Sequence, residues 1–237
     1  MTTISERLQA VKASISAATA ESGRSPDQVQ LLAVSKAHPA EKIREAYTAG
    51  QRWFGENYLQ EALDKQAQLN DVDIHWHFIG PIQSNKTQAI AQNFAWVHSV
   101  DRLKIAERLN SARSEDLDPL QICIQINVSG EASKSGVAPD QVSELADAVM
   151  QLPRLRLRGL MSIPAPTTNV DLQREQFRLV REALEQLKHQ FTAANLDTLS
   201  MGMSEDYVAA IAEGATIVRM GSAVFGPRPV KLKEQIE

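Results

Sequence analysis

Cysteine occurs once in the 237 residues, at Cys123 inside the apolar run Ile122-Cys123-Ile124. One thiol excludes a disulfide framework, and its apolar neighbours mark a core residue of a protein suited to a reducing compartment. An excess of basic charge is missing too: 25 Lys and Arg stand against 29 Asp and Glu, a net charge of −4. With no basic stripe carrying interleaved aromatics, this argues against general nucleic-acid binding. No run approaches the roughly 18 apolar residues of a membrane span. Glu6 comes early and no apolar h-region follows it, so a signal peptide is not expected and the expected location is the cytoplasm. Internal repeats and low-complexity segments are absent. No glycine-rich fingerprint follows the first strand, and no Walker-type loop or Ser-His-Asp order stands out.

What is present belongs to an ordinary globular chain, 43% hydrophobic and 23% charged. Ile4, Leu8, Val11 and Ile15 recur at helical spacing, and Thr3 and Glu6 can form a capping box, so a helix is expected over 3–20. Apolar, β-branched runs then predict strands over 31–36, 52–55, 74–79, 96–99, 121–128, 155–163, 197–201 and 216–220. Between them, helical patterns cover 39–49, a stretch to about 69, 84–93, a stretch capped by Asp101 to about 112, a stretch to about 150, 171–191, and a short helix from Ser204. A solvated tail, 229–237, is expected last. Strict alternation means βαβ units and a parallel sheet, and eight of them in this length favour one closed (β/α)₈ barrel spanning 1–237 over a doubly wound sheet.

Active groups of such a barrel gather where strands end. Lys36 shares strand parity with Leu32 and Val34, so it ends a face that otherwise reads as core. It either snorkels to water or serves as a Schiff-base lysine. Asn57 follows the second strand, His77 lies on the third beside His75, Met161 and Ser162 close the sixth, and Ser200 and Ser204 flank the end of the seventh. Arg219, Gly221 and Ser222 end the eighth. The turns after the seventh and eighth strands are where barrels often bind phosphate, and Ser204 with Gly221-Ser222 suits that role. Arg219, if inward, needs an acceptor; facing a ring nitrogen, it keeps its own proton and leaves that nitrogen unprotonated. A lysine, a phosphate cradle and a ring-nitrogen donor together describe a pyridoxal 5′-phosphate (PLP) site. His75 and His77 lack a cysteine or carboxylate cluster, so no metal is expected.

These residues also carry a resemblance. The stretch Trp76-His77-Phe78-Ile79-Gly80-Pro81-Ile82-Gln83-Ser84-Asn85-Lys86 resembles a signature of the YggS/PLPBP family of pyridoxal phosphate homeostasis proteins. Ala33-Val34-Ser35-Lys36, Phe54-Gly55-Glu56-Asn57-Tyr58, Ser133-Lys134-Ser135-Gly136, Arg158-Gly159-Leu160-Met161, Gly202-Met203-Ser204 and Arg219-Met220-Gly221 extend it over nearly the whole chain. The resemblance implies a TIM-type barrel similar to the alanine racemase N-terminal domain (PLP fold type III), with an added N-terminal helix. It implies Lys36 as the Schiff-base lysine, Arg219 facing the pyridine nitrogen, and Ser204, Gly221 and Ser222 around the phosphate. Asn57, His77, Met161, Ser162 and Ser200 fall in the cofactor pocket, and Lys134 is a further contact. It implies a carrier or regulator of vitamin B6, with apo PLP-dependent enzymes as recipients and no established catalysis.

The alternative is a PLP-dependent amino-acid racemase. The resembled racemases carry a further β-domain that supplies a second acid/base and builds a dimer, whereas eleven residues follow Phe225-Gly226 here. The expectation is therefore a carrier without turnover, a monomer or weak dimer.

Overall fold

The computed structural model describes residues 2–129 and 135–227; Lys134 and the tail 229–237 lie outside the described residues. Helix α1 (Ile4–Glu21) begins at the expected capping box. The Thr3 hydroxyl accepts from the Glu6 N–H at 3.2 Å, and the Glu6 carboxylate accepts from the Thr3 N–H at 2.7 Å. Its buried stripe, Ile4, Leu8, Val11 and Ile15, docks on the body of the protein.

Strand and helix then alternate as β1 (Gln30–Val34), α2 (Ala40–Thr48), β2 (Trp53–Glu56), α3 (Leu59–Gln68), β3 (His75–Phe78), α4 (Thr87–Asn93), β4 (Trp96–Val100) and α5 (Leu103–Ala112). The series continues with β5 (Leu120–Gln125), α6 (Val142–Met150), β6 (Leu155–Met161), α7 (Val170–Gln190), β7 (Thr198–Ser200), α8 (Tyr207–Ala212), β8 (Ile217–Met220) and α9 (Ser222–Phe225). Every neighbouring pair is parallel, and β8 returns to β1 with Leu32 opposite Arg219, so the sheet is a closed barrel in sequence order. The doubly wound alternative is thereby ruled out.

Alternation sorts the side chains into two cores. Leu31 and Ala33 point outward with Phe54 and Phe78 into the layer beneath the helices. Leu32, Val34, Ile79 and Ile217 point inward and fill one part of the barrel, while Trp96, Cys123 and Met161 fill another. Full burial of each such side chain contributes about 1.5–3 kcal/mol, so the closed sheet is held from both faces.

Several elements end earlier than their apolar runs suggest. The Ser35 N–H still bonds the Gly55 carbonyl at 3.0 Å, but Ala37 then enters the left-handed region at φ 63°, so β1 ends at Val34 and Lys36 sits in the following turn. β5 stops at Gln125, because Ile126 bridges Val137 and the chain leaves the barrel wall. β6 stops at Met161, ahead of Pro164 and Pro166, which have no N–H for a ladder. α8 begins at Tyr207, not Ser204: the Asp206 carboxylate accepts from the Met203 N–H at 2.6 Å and closes a separate turn first. Asp101 does not cap α5; its carboxylate takes the Arg102 guanidinium at 2.6 Å, and Arg102 holds the cap position. A short 3₁₀ turn, Ser84–Lys86, precedes α4.

Candidate functional site

At the C-terminal mouth of the barrel lies a cavity of about 500 Å³. Val34, Lys36 and His38 wall it from β1 and its turn, Asn57 from the end of β2, and Ile79 from the end of β3. The rest of the wall comes from Pro164, Pro166 and Thr167 after β6, the Met203–Asp206 turn after β7, and, beside β1, Arg219 of β8 with Gly221 and Ser222 after it. Six of the sequence-predicted residues therefore meet here: Lys36, Asn57, Ser204, Arg219, Gly221 and Ser222.

Asn57 Oδ1 is buried with no hydrogen-bond partner. Two glycines allow close approaches that shape the same wall. A Cβ on Gly80 would overlap the Asn57 carbonyl oxygen at 2.0 Å, so only glycine lets the loop after β3 press Asn57 into place. A Cβ on Gly221 would lie 3.1 Å from the Val34 carbonyl oxygen, so the β1 and β8 ends come together at the cavity edge.

Arg219 forms the floor. It is 4% exposed, and it is held by neutral acceptors. One terminal nitrogen donates to the Ser200 carbonyl and, at 2.9 Å, to the Ser200 hydroxyl; the other donates to the Ser162 carbonyl at 2.8 Å. Burial brings its pKa down to about 10, which leaves it charged at neutral pH. Behind Ser200 the chain of contacts goes deeper: Ser200 Oγ lies 2.8 Å from His98 Nδ1, and His98 Nε2 lies 2.9 Å from His77 Nδ1. A serine hydroxyl that receives from arginine has its own proton to give, so we assign donation from Ser200 to His98 and from His98 to His77. Burial lowers the His98 pKa to about 3, with the Arg219 charge adding to the effect, and holds His77 well below the usual histidine range. Both rings are neutral.

Four sequence-predicted residues do not line the cavity. His77 packs deeper, 4.8 Å from the Trp53 ring and stacked 5.4 Å from Trp96. Met161 joins Trp96 and Cys123 in the barrel interior. Ser162 and Ser200 act on the cavity through Arg219. Cys123 is buried and its thiol is pushed up to about 12, so it is no nucleophile. Among the described residues no group of three or more His, Cys, Asp or Glu could hold a metal.

Other participants escaped the sequence reading. His98 shares parity with inward-facing Trp96, and that alternation was the available signal. Glu56, Glu61 and Lys65 surround the turn of Lys36 from outside the barrel. The Lys65 ammonium donates to Glu56 at 2.7 Å, to Glu61 at 2.5 Å and to the Ser35 carbonyl at 2.9 Å. The Ser35 hydroxyl donates to Glu56 at 2.6 Å, and the Ala37 N–H to Glu61 at 2.6 Å. Both chain neighbours of Lys36 are thereby tied down.

A cavity with a lysine on its wall and a buried arginine at its floor invites comparison with known proteins. Residues 7–229 match the family described as alanine racemase, N-terminal domain. The pyridoxal phosphate homeostasis protein of Pseudomonas aeruginosa is 59% identical over 228 residues, covering 96% of this chain and 97% of that one. The chain belongs to the pyridoxal phosphate homeostasis protein family. The family's Escherichia coli K12 member is 50% identical over 236 residues, covering 98% of this chain and all (100%) of that one. A solved structure similar to it is PipY of Synechococcus elongatus PCC7942 with PLP bound, at TM-score 0.82 and 39% identity over 94% of this chain and 100% of that one. Alanine racemase of Corynebacterium glutamicum, at TM-score 0.65 and 19% identity over 96% of this chain and 63% of that one, shares the fold. The homeostasis family thus uses the racemase barrel, and a shared barrel assigns no activity.

Proposed function

We propose that this protein binds pyridoxal 5′-phosphate in the mouth cavity, holds it as a Schiff base on Lys36 and serves vitamin B6 homeostasis without efficient turnover. The observation that carries this reading is the meeting of Lys36, Arg219 and the Gly221-Ser222 turn around one cavity. It is supported by a 39% identical relative whose structure has PLP bound. The residues present fit the group: the cavity offers an amine, a fixed cation and a buried acceptor at Asn57 Oδ1 without a partner. PLP itself supplies an aldehyde that amines can reach.

The residues divide the work. Lys36 donates the amine that holds the cofactor covalently. The Gly221-Ser222 turn, with the hydroxyls of Ser204 and Ser222, holds the phosphate. Arg219 keeps its proton and donates to the ring nitrogen, which stays unprotonated and accepts carbanion charge poorly. That weakens catalysis and leaves retention. His77, Met161, Ser162 and Ser200 hold Arg219 and the floor in place. Apo PLP-dependent enzymes in the cytoplasm are the recipients, and the protein acts as a monomer or weak dimer.

The test is the absorption spectrum of PLP-loaded protein before and after borohydride, with mass spectrometry to locate the reduced pyridoxyl group. Label on Lys36 supports the reading; label wholly elsewhere overturns it. Proton NMR of alanine and serine in deuterium oxide separates carrier from racemase. Rapid loss of the α-proton signal that disappears in Lys36→Ala would make the protein an enzyme.

A further inference from the structure

We propose that Lys65, with Glu56 and Glu61, is a positioning device that presents the Lys36 amine to the cavity; this rests on the reading of Lys36 as the Schiff-base residue. Ala37 holds φ 63°, a left-handed conformation that costs a side-chain-bearing residue roughly 1 kcal/mol and survives only where surroundings enforce it. The enforcement is visible on both sides of Lys36. Ser35 is fixed twice, by its hydroxyl on Glu56 and by its carbonyl under Lys65, and the Ala37 N–H is fixed on Glu61.

Lys65 is the hub. Its ammonium has three protons, and each has an acceptor: Glu56, Glu61 and the Ser35 carbonyl. It is 4% exposed and Glu56 is 0% exposed, so these are charge-assisted bonds away from water rather than a surface ion pair. Glu56 ends β2, while Glu61 and Lys65 lie one turn apart on α3. The cluster therefore ties the turn after β1 to the next strand and to the helix that covers it. Ser35 points toward this cluster, and Lys36, next in the turn, lines the cavity.

What the device governs is one covalent step. The neutral Lys36 amine adds to the aldehyde, a carbon–nitrogen bond forms, and the carbonyl oxygen leaves as water. A reacting atom misplaced by about 1 Å loses much of its effective concentration. The device is thus silent toward a ligand that cannot react. Pyridoxamine 5′-phosphate has the same ring and phosphate and no aldehyde, so it reports the pocket alone.

The experiment compares affinities for pyridoxal 5′-phosphate and pyridoxamine 5′-phosphate in the wild type, Lys65→Met, Glu61→Ala and Glu61→Gln. Lys65→Met keeps the stem and removes all three donors. It should weaken pyridoxal phosphate binding about tenfold or more while pyridoxamine phosphate binding changes little. Glu61→Ala, at a partly exposed position, removes the acceptor of the Ala37 N–H and one acceptor of Lys65, and should lower the ratio about threefold. Glu61→Gln retains an acceptor for the Ala37 N–H and should restore most of the ratio. If Lys65→Met does not fold, Glu61→Ala and Glu61→Gln carry the comparison. Equal losses for both ligands, or no loss, would show that the cluster only stabilises the fold. A wild type that borohydride fails to label on Lys36 would instead remove the reading beneath it.

Discussion

The two basic side chains of the cavity are held in opposite ways. Lys36 is placed through its backbone, by a charged cluster outside the barrel that grips Ser35 and Ala37. Arg219 is placed through its own guanidinium, by neutral oxygens of Ser162 and Ser200 inside the barrel. The first arrangement grips Ser35 and Ala37, so a bond made at the Lys36 amine leaves those contacts in place. The second fixes a charge whose hydrogen bonds, among the described residues, all go to neutral oxygens; the Asp206 carboxylate on the cavity wall acts on it only through space, so part of its field reaches whatever enters the cavity. One side chain suits reaction and the other suits recognition.

Breaking the reactive side has the largest expected effect. Lys36→Ala should abolish the borohydride-trapped pyridoxyl label, read by mass spectrometry, while the fold survives, because the grip on its turn uses the backbone of its neighbours. A variant that unfolds would mean that the Lys36 side chain belongs to the support. Breaking the recognition side should behave in reverse. Arg219→Leu takes the donor from the Ser162 carbonyl and one of two from the Ser200 carbonyl, which keeps the Ser162 N–H at 3.2 Å, and urea unfolding should show a loss of about 2 kcal/mol. The label on Lys36 should persist at high cofactor concentration.

Acid sharpens the contrast from beneath Arg219. His98 binds a proton near pH 3 when folded against 6.5 unfolded, so between those values the unfolded chain binds more protons. Stability is complete above pH 6.5 and falls as the pH drops toward 3. His77 acts in the same direction, and burial of Glu56, whose pKa is raised, acts against both. Lowering the pH from 6.5 to 4.5 should cost roughly 2 kcal/mol from His98 alone, measured as urea midpoints. A profile equally steep in His98→Gln would move the effect elsewhere. The smallest effect is expected where the two sides meet. Gly221→Val crowds the Val34 carbonyl and shifts the Gly221-Ser222 turn, and PLP affinity should fall about tenfold more than pyridoxal affinity, since only PLP carries the phosphate that this turn is proposed to hold. Equal losses would put the phosphate elsewhere.

Lys36 and Arg219 were legible in the sequence because each is a charge where strand alternation demands an apolar side chain. The eight-fold alternation of strands and helices was legible for the same reason: burial on both faces leaves an unbroken apolar run. Other features were not. Lys65 and Glu61 stand four apart on a helix, the pattern of an ordinary surface ion pair. Only the arrival of Ser35 and Glu56 from other segments makes the lysine buried. His98 sits in the aromatic strand Trp96-Val97-His98 and reads as filler until Ser200, a hundred and two positions later, supplies its partner. Element ends were misread because local turns and one bridge override the apolar runs: the left-handed Ala37 after β1, the Ile126–Val137 bridge after β5, and the Asp206 carboxylate on the Met203 N–H before α8.

The docking of α1 has a consequence for how the protein is made. Its apolar stripe packs against α2, but also against α8 and α9. Between α1 and α9 lie roughly 200 residues, which a ribosome adds at about 5–20 per second. For roughly 10–40 s the nascent chain therefore carries an amphipathic helix whose resting place has not been synthesised, and an open sheet whose first strand awaits its eighth. The helix that seals the seam of the finished barrel is, during synthesis, an exposed hydrophobic segment. Chaperones that shield such segments should engage this chain early and release it only when β8 and α9 have emerged.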